Sequence, residues 1–203
     1  MRSFLMLLLF LPSLAMASAT DDLLARLHDL HSLSGGFQQT VQDQGGNRLQ
    51  NASGEMTVAR GNRFYWHTSQ PYDQVVVSDG KQVWVYDKDL QQVVIKSLST
   101  DLGKTPALLF GGDPAAVAKA FTIKELDRRH GEVTFRLEPK AKDPLFDTLD
   151  VTFKGQLPLS MRLQDALGQI TVIDFQHLTL NATPAAGRFH FDPPQGTDII
   201  RQQ

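Results

Sequence analysis

The sequence has 203 residues, a formal net charge of −2 at pH 7 and no cysteine. This length allows one domain, or at most two, with a sizeable core, and the 41% of hydrophobic residues is typical of folded proteins. A slightly negative chain has no surplus of positive charge for nucleic acid, so we expect no nucleic-acid partner. The lack of cysteine excludes disulfides, a thiol nucleophile, thiolate-bound zinc and lipid attachment to the chain itself.

The first 17 residues have the pattern of a secretory signal peptide. Arg2 gives a positive start, an apolar run extends over residues 4–11, and small residues precede a cleavage point at Ala17. The apolar run is shorter than the roughly 20 residues that cross a bilayer, which argues against a retained anchor. We therefore expect cleavage after Ala17, or alternatively after Ala19, and a single mature domain over residues 18–203.

The pattern of elements begins with one helix and then changes to strands. Leucines recur at helical spacing, so we predict a helix over residues 20–32 that Gly35-Gly36 ends. From Phe37 onwards apolar residues alternate between turn signals, and the last such segment covers residues 187–193. About eleven strands at short spacing predict a mainly β domain, built as a barrel or a strongly curved antiparallel sheet.

One helical stretch interrupts the strands. Thr105 before Pro106 and Asp113 before Pro114 each place a capping residue ahead of a proline at the first helical position, which predicts two short helices. Residues 107–110 of the first helix are all apolar, so this helix should be buried on every side.

The register of the hairpin at Arg60 decides which residues share a face. A three-residue turn after Arg60 pairs this residue with Phe64 and Val58 with Trp66, and it puts the large apolar residues of both strands on one face. A two-residue turn would pair Arg60 with Arg63 and separate them, so we prefer the longer turn.

Arg60 then points toward the apolar side of its sheet. Its guanidinium could extend to water from the sheet edge, as arginine side chains often do. Alternatively, its five donors could bind carbonyl oxygens at the end of a short helix. The second interpretation would make Arg60 a latch that holds the apolar helix over the sheet.

From Asp21 to its end the chain resembles the LolA family of periplasmic outer-membrane lipoprotein carriers. The segments that carry this resemblance are, in order, DLLARLHDLHSLSGGFQQ, VARGNRFYW, SQPYDQVVVSDGKQVWVYD, TPALLF and FHFDPPQGTDII. The sequence departs from the family at Gly61, where proline is common. The resemblance implies an incomplete, unclosed antiparallel β-barrel of about eleven strands, with a helical lid over a hydrophobic cavity.

The resemblance also implies a transport function without a catalysed reaction. It implies a monomeric periplasmic carrier that takes the acyl chains of lipoproteins from a LolCDE-type ABC transporter in the inner membrane. The carrier would deliver them to a LolB-type acceptor at the outer membrane, with Arg60 as lid latch and Phe64 associated with handover. No cofactor or metal is implied.

We expect the acyl-chain cavity to be lined by apolar residues of the hairpins, the apolar helix and the later strands, although each of them could also be ordinary core. The candidates are Met56, Val58, Phe64, Trp66, Val75, Val77, Trp84, Leu108, Leu109, Phe110, Phe153, Met161, Leu163 and Phe175.

Other functions remain as alternatives. The six histidines have no metal-ligand or triad spacing, and no nucleophile motif is present, which disfavours a lipid hydrolase. A lipid-binding sensor or regulatory domain of the same fold is the main alternative, although such sensors usually carry a further domain. The outer-membrane acceptor itself would need an acylated cysteine.

Overall fold

The computed structural model describes residues 18–99 and 108–202. The expected signal peptide and the predicted Thr105-Pro106 cap lie outside these residues.

Twelve strands and three helices follow one another along the described chain. Helix α1 precedes the first six strands, and the bounds are α1 Ala19–Asp29, β1 Ser32–Gln42, β2 Arg48–Ala59, β3 Arg63–Gln70, β4 Gln74–Asp79, β5 Gln82–Asp87 and β6 Gln92–Ser97. Two short helices precede the remaining strands: α2 Leu108–Gly111, α3 Pro114–Ala120, β7 Phe121–Arg129, β8 Glu132–Pro139, β9 Thr148–Lys154, β10 Leu157–Gln164, β11 Ile170–Leu180 and β12 Asp198–Arg201.

All twelve strands form one sheet in the order β12-β6-β5-β4-β3-β2-β1-β11-β10-β9-β8-β7. Neighbouring strands are antiparallel except for β12, which pairs in parallel with β6. Strands β12 and β7 are the two edges, so the sheet is open. This confirms the predicted mainly β architecture with an unclosed sheet and few helices.

The helices cover one side of the sheet, which we call the inner face. Ser18 caps α1 by accepting a hydrogen bond from the backbone N–H of Asp21, and Leu23 and Leu27 bury its apolar side. Asp113 caps α3 with Pro114 at its start, as predicted. Leucines of α1, the three apolar side chains of α2 and Val117 of α3 share one core cluster with side chains of the inner face.

Two predicted element boundaries were wrong. Helix α1 ends at Asp29, and Gly35 lies inside β1 instead of ending the helix. A Cβ on Gly35 would lie 2.7 Å from the carbonyl oxygen of Gln176, at a bulge between β1 and β11, so glycine permits a close approach of strands there. Residues 187–193 are also not a strand, and the last strand is β12.

The register of the Arg60 hairpin differs from the prediction by two residues. Val58 pairs with Phe64 and Ala59 with Arg63, so the three-residue connection consists of residues 60–62. Arg60 leaves the ladder because its backbone N–H donates to the carbonyl oxygen of His31. Since side chains alternate with a period of two, the predicted sharing of one face is correct.

A second, smaller apolar cluster lies on the opposite, outer face. It contains Val77, Trp84, Tyr86 and Val93, with Phe191 of the C-terminal segment packed against it. This corrects the prediction that Val75, Val77 and Trp84 line the inner cavity. Val77 pairs with Tyr65 and Trp84, whereas Val76 pairs with Trp66, so the alternation of β4 was assigned one residue out of phase.

Candidate functional site

An apolar cavity of about 270 Å³ lies on the inner face, between β1–β3, β9–β11 and helix α2. Its walls are mostly aliphatic and aromatic, and only two of the lining residues are polar. The lining residues are Gln39, Met56, Val58, Trp66, Phe110, Leu149, Met161, Leu163, Thr171, Ile173 and Phe175.

Half of the residues expected from the sequence lie on this cavity. Those that line it are Met56, Val58, Trp66, Phe110, Met161, Leu163 and Phe175. A second group is buried in the surrounding core without lining it, namely Phe64, Leu108, Leu109 and Phe153. Sequence reasoning missed Gln39, Leu149, Thr171 and Ile173. Strand alternation could have found Gln39, which lies between the buried Phe37 and Val41.

Helix α2, Leu108–Gly111, covers this cavity, and we call this helix the lid. Each of its four residues is buried, in agreement with the predicted all-round apolar helix. The ring of Phe110 lies 5.7 Å from that of Phe175 and 6.4 Å from that of Phe153, measured between centroids. A four-residue helix has no stability of its own in water, so its position depends on these contacts and on its hydrogen bonds.

The guanidinium of Arg60 joins the ends of two helices. Nη1 donates to the carbonyl oxygen of Gly112 at 2.6 Å, just beyond α2. Nη2 donates to the carbonyl oxygens of Leu27 and, at 3.0 Å, of His28, both in the last turn of α1. Helix C-termini have unpaired carbonyls and the negative end of the dipole, so a cation is favoured there. The contact beyond α2 follows the second sequence-based interpretation, whereas the contact with α1 was not predicted.

Burial lowers the pKa of the Arg60 guanidinium, and the nearby carboxylate of Asp113 opposes that effect. An arginine remains protonated in proteins because its ordinary pKa is so high. The charge at this junction is therefore constant across physiological pH.

The loop around Arg60 makes a further contact with the lid. The backbone N–H of Asn62 donates to the carbonyl oxygen of Gly111 at 3.1 Å. Asn62 adopts a positive φ of 61°, and Gly61 before it a φ of 83°. These two left-handed residues turn the backbone so that one short loop presents both a guanidinium and an N–H to α2.

An ion-pair network fixes the beginning of α1. Asp22 accepts hydrogen bonds from Arg26 at 2.9 Å and from Arg128 of β7 at 2.5 Å. Burial alone would raise the pKa of Asp22, but the two arginines outweigh it and hold this pKa below 3.8. The guanidinium of Arg26 also lies 5.8 Å from the ring centroid of Phe153.

Residues 18–99 and 108–202 contain no cluster of three or more histidine, aspartate or glutamate side chains arranged to hold a metal ion. Within the same part of the chain, no helix has the length and apolar character needed to cross a membrane.

Comparison with known proteins identifies clear relatives. The family model "Outer membrane lipoprotein carrier protein LolA" matches residues 28–192. The chain is 66% identical over 195 residues to the outer-membrane lipoprotein carrier protein of Alcanivorax borkumensis, covering 96% of this chain and 93% of that relative. It is 43% identical over 209 residues to the protein of the same name from Pseudomonas entomophila, with 100% of both chains covered.

A solved structure shares the fold. An uncharacterized conserved protein from Thermus thermophilus superposes with a TM-score of 0.55 at 14% identity, covering 91% of this chain and 100% of that chain. At this level of identity the similarity concerns the fold alone.

Proposed function

Because the chain belongs to the LolA family of outer-membrane lipoprotein carrier proteins, we propose that it carries lipoproteins through the periplasm with their acyl chains on the inner face of the sheet. The observation that carries this proposal is the apolar cavity beneath α2, a helix buried on all sides and bonded through Arg60. The acyl chains would contact the seven expected residues that line it.

The physical need for such a carrier is large. Moving one methylene out of water is worth about 0.8 kcal/mol, so some forty methylenes of a triacylated lipoprotein would oppose entry into the periplasm by roughly 30 kcal/mol. Diffusion without a carrier is too slow at that free energy. An apolar surface that closes when empty solves this problem without covalent chemistry.

The size of the cavity supports a lid that moves. At about 270 Å³ it is smaller than the roughly 300–1,000 Å³ typical of pockets for drug-sized ligands. Several acyl chains therefore need the helices to separate from the sheet. Arg60 would act as the latch, because its guanidinium is the group that bonds α2 to α1, and these bonds break when the lid opens.

The direction of transport would come from partners. We propose a LolCDE-type ABC transporter as donor at the inner membrane and a LolB-type protein as acceptor at the outer membrane, with affinity increasing along the route. The carrier itself would be a monomer without cofactor or catalytic activity. Residues 1–17 would direct its export to the periplasm.

A reconstituted cycle tests the proposal. The purified protein is incubated with inner-membrane vesicles that contain the transporter, ATP and a lipoprotein, and the soluble fraction is then mixed with the acceptor. We expect ATP-dependent appearance of intact lipoprotein in the soluble fraction and its passage to the acceptor. A lipid-binding sensor would bind lipid without passing it on, and a hydrolase would release cargo with cleaved acyl chains.

A further inference from the structure

The apolar cavity has a polar end. Along β1 the inner-face residues run from Phe37 to Gln39, and along β11 they run from Phe175 through Ile173 to Thr171. Phe175 contacts Phe110 of the lid, whereas Thr171 lies four residues further along the strand, roughly 13 Å away. Thr171 therefore lies away from α2, where its cross-strand neighbours are the apolar Val41 and Leu163.

The polar side-chain groups at this end make no hydrogen bond to the described part of the chain. Among residues 18–99 and 108–202, no hydrogen bond reaches the amide of Gln39 or the hydroxyl of Thr171. Both residues are half-buried on the cavity wall. Gln39 pairs across the sheet with Ala52 on one side and Ile173 on the other, so neither neighbour offers a polar atom on a side chain.

The amide of Gln39 and the hydroxyl of Thr171 are accessible to solvent, since Oγ1 of Thr148 is the one fully buried side-chain polar atom without a hydrogen bond among the described residues. A ligand that displaces water from these two groups must replace its hydrogen bonds. Groups of this kind in binding sites commonly fix the orientation of a mostly apolar ligand. Both side chains can donate, through the amide N–H of Gln39 and the hydroxyl of Thr171. The complementary ligand group is an acceptor attached to a long apolar chain.

We propose that Gln39 and Thr171 bind the carbonyl oxygen of an acyl ester or amide and so orient the chain, with its methyl end under α2 and its polar end toward Thr171. This inference rests on the proposed carrier function and adds a recognition site to it. The carrier would thereby distinguish acyl chains from hydrocarbon of the same length, and it would hold the polar head of the cargo outside the cavity.

Two synthetic ligands of equal chain length test this site. One is a lipopeptide whose cysteine carries a dipalmitoylglyceryl thioether, and the other is its dialkyl ether, which lacks both carbonyl oxygens. We expect the protein to bind the ester form about three- to tenfold more tightly, the effect of one to two ordinary hydrogen bonds. Dissociation constants are measured by displacement of a fluorescent fatty acid.

Near-isosteric variants assign the preference to the two residues. Gln39→Met and Thr171→Val should weaken binding of the ester form and leave the ether form unchanged. Matched controls are Gln38→Met and Thr179→Val, exposed residues on the same strands. Thermal melting verifies that each variant is folded. An ether ligand that also carries an N-palmitoyl amide shows whether an amide carbonyl restores the preference.

The possible outcomes separate this site from the carrier function. Equal affinity of the protein for ester and ether would overturn the proposed site and leave the carrier function intact. The same holds if the preference for the ester survives in the Gln39→Met, Thr171→Val double variant. It also holds if this double variant loses affinity for the ester and the ether equally. Failure of the protein to bind any of the lipopeptides would contradict the carrier function itself.

Discussion

A Cβ on Gly111 would lie 2.8 Å from Cγ1 of Val58 and 2.9 Å from the carbonyl oxygen of Ala59. Helix α2 therefore approaches strand β2 more closely than a residue with a side chain permits at this position. The position of α2 on the sheet therefore depends on the absence of a side chain at Gly111 as well as on the bonds that Arg60 and Asn62 donate.

We expect Gly111→Ala to weaken the closed state of the lid. Glycine to alanine in a helix is ordinarily favourable by up to about 1 kcal/mol, whereas overpacking costs about 1–3 kcal/mol. The clash with the Val58 side chain and the Ala59 carbonyl oxygen should dominate, so the melting temperature falls and amide exchange in α2 becomes faster. Gly36→Ala is the control, because a Cβ there meets its nearest atom at an ordinary 3.5 Å. A higher melting temperature with unchanged amide exchange would show that a side chain fits between α2 and β2 at this position.

We expect Arg60→Leu to fold, to bind lipoprotein at least as well as the natural protein, and to fail in release. The variant loses bonds to the carbonyls of Gly112 and His28, and bonds to a charged donor are worth about 1.5–3 kcal/mol, so the lid opens more readily. The leucine also adds apolar surface for acyl chains. Transfer from loaded carrier to the acceptor is the measurement.

A matched control for this variant is Arg201→Leu, which removes the same charge from an exposed position of β12, at the edge of the sheet. Arg63 is unsuitable as a control because its Nε donates to the carbonyl oxygen of Arg60 at 3.0 Å. Normal transfer by Arg60→Leu, or an equal defect in Arg201→Leu, would exclude a specific latch.

A charge inside the cavity should block loading while the fold persists. Leu163 lines the cavity and is half-buried, so Leu163→Glu can keep its carboxylate hydrated at a modest cost in stability. Loading and melting temperature are measured together, with Gln164→Glu on the other face of β10 as control. Glutamate at Phe64 or Leu109 should also lower the melting temperature strongly, because these residues are only 5% and 3% exposed. Normal loading by Leu163→Glu would place the acyl chains elsewhere.

Periodicity predicted the elements of the inner face better than their exact pairing. The hairpin around Arg60 was assigned to the correct faces with the wrong partners, since a shift of two residues preserves the face. In β4, by contrast, three consecutive valines gave no alternation to follow, and Val75 and Val77 were assigned to the wrong side. A continuous apolar run is typical of a strand that is buried on both faces. Here the C-terminal segment covers the outer face.

The features that the sequence could not predict depend on distant contacts. Strand β12 has four residues, all exposed, and forms only because β6 offers a free edge. Similarly, the carbonyls of Leu27 and His28 become partners of Arg60 because α1 ends beside the 60–62 loop. Gln39 and Thr171 were not expected in the cavity wall because acyl chains favour apolar neighbours, although the alternation of β1 places Gln39 there.

We expect the contribution of Asp22 to stability to disappear in acid. Its pKa lies below 3.8 in the folded state, so its ion pairs stabilise the fold fully above about pH 4 and lose that effect as the pH falls through the lower folded pKa. Asp22→Asn should be less stable than the natural protein by about 1 kcal/mol at pH 7 and equally stable at low pH. Urea unfolding at several pH values measures this, with the exposed Asp174→Asn as control. If the difference in free energy of unfolding between Asp22→Asn and the natural protein stays constant with pH, Asp22 stabilises the fold by packing and not by its charge.

Alanine variants of the two tryptophans should differ in lipopeptide binding although both lower the melting temperature. Trp66 lines the inner cavity and packs against Phe37, with ring centroids 4.2 Å apart, whereas Trp84 is buried on the outer face beside His190. Truncation of a buried tryptophan to alanine costs about 3–5 kcal/mol, so Trp84→Ala should melt earlier. Trp66→Ala should also melt earlier but by less, because Trp66 is only half-buried. Below their melting temperatures, only Trp66→Ala should bind the dipalmitoyl lipopeptide more weakly, because only Trp66 offers its surface to the acyl chains. Loss of binding in a folded Trp84→Ala variant would mean that the outer cluster controls the cavity through the sheet.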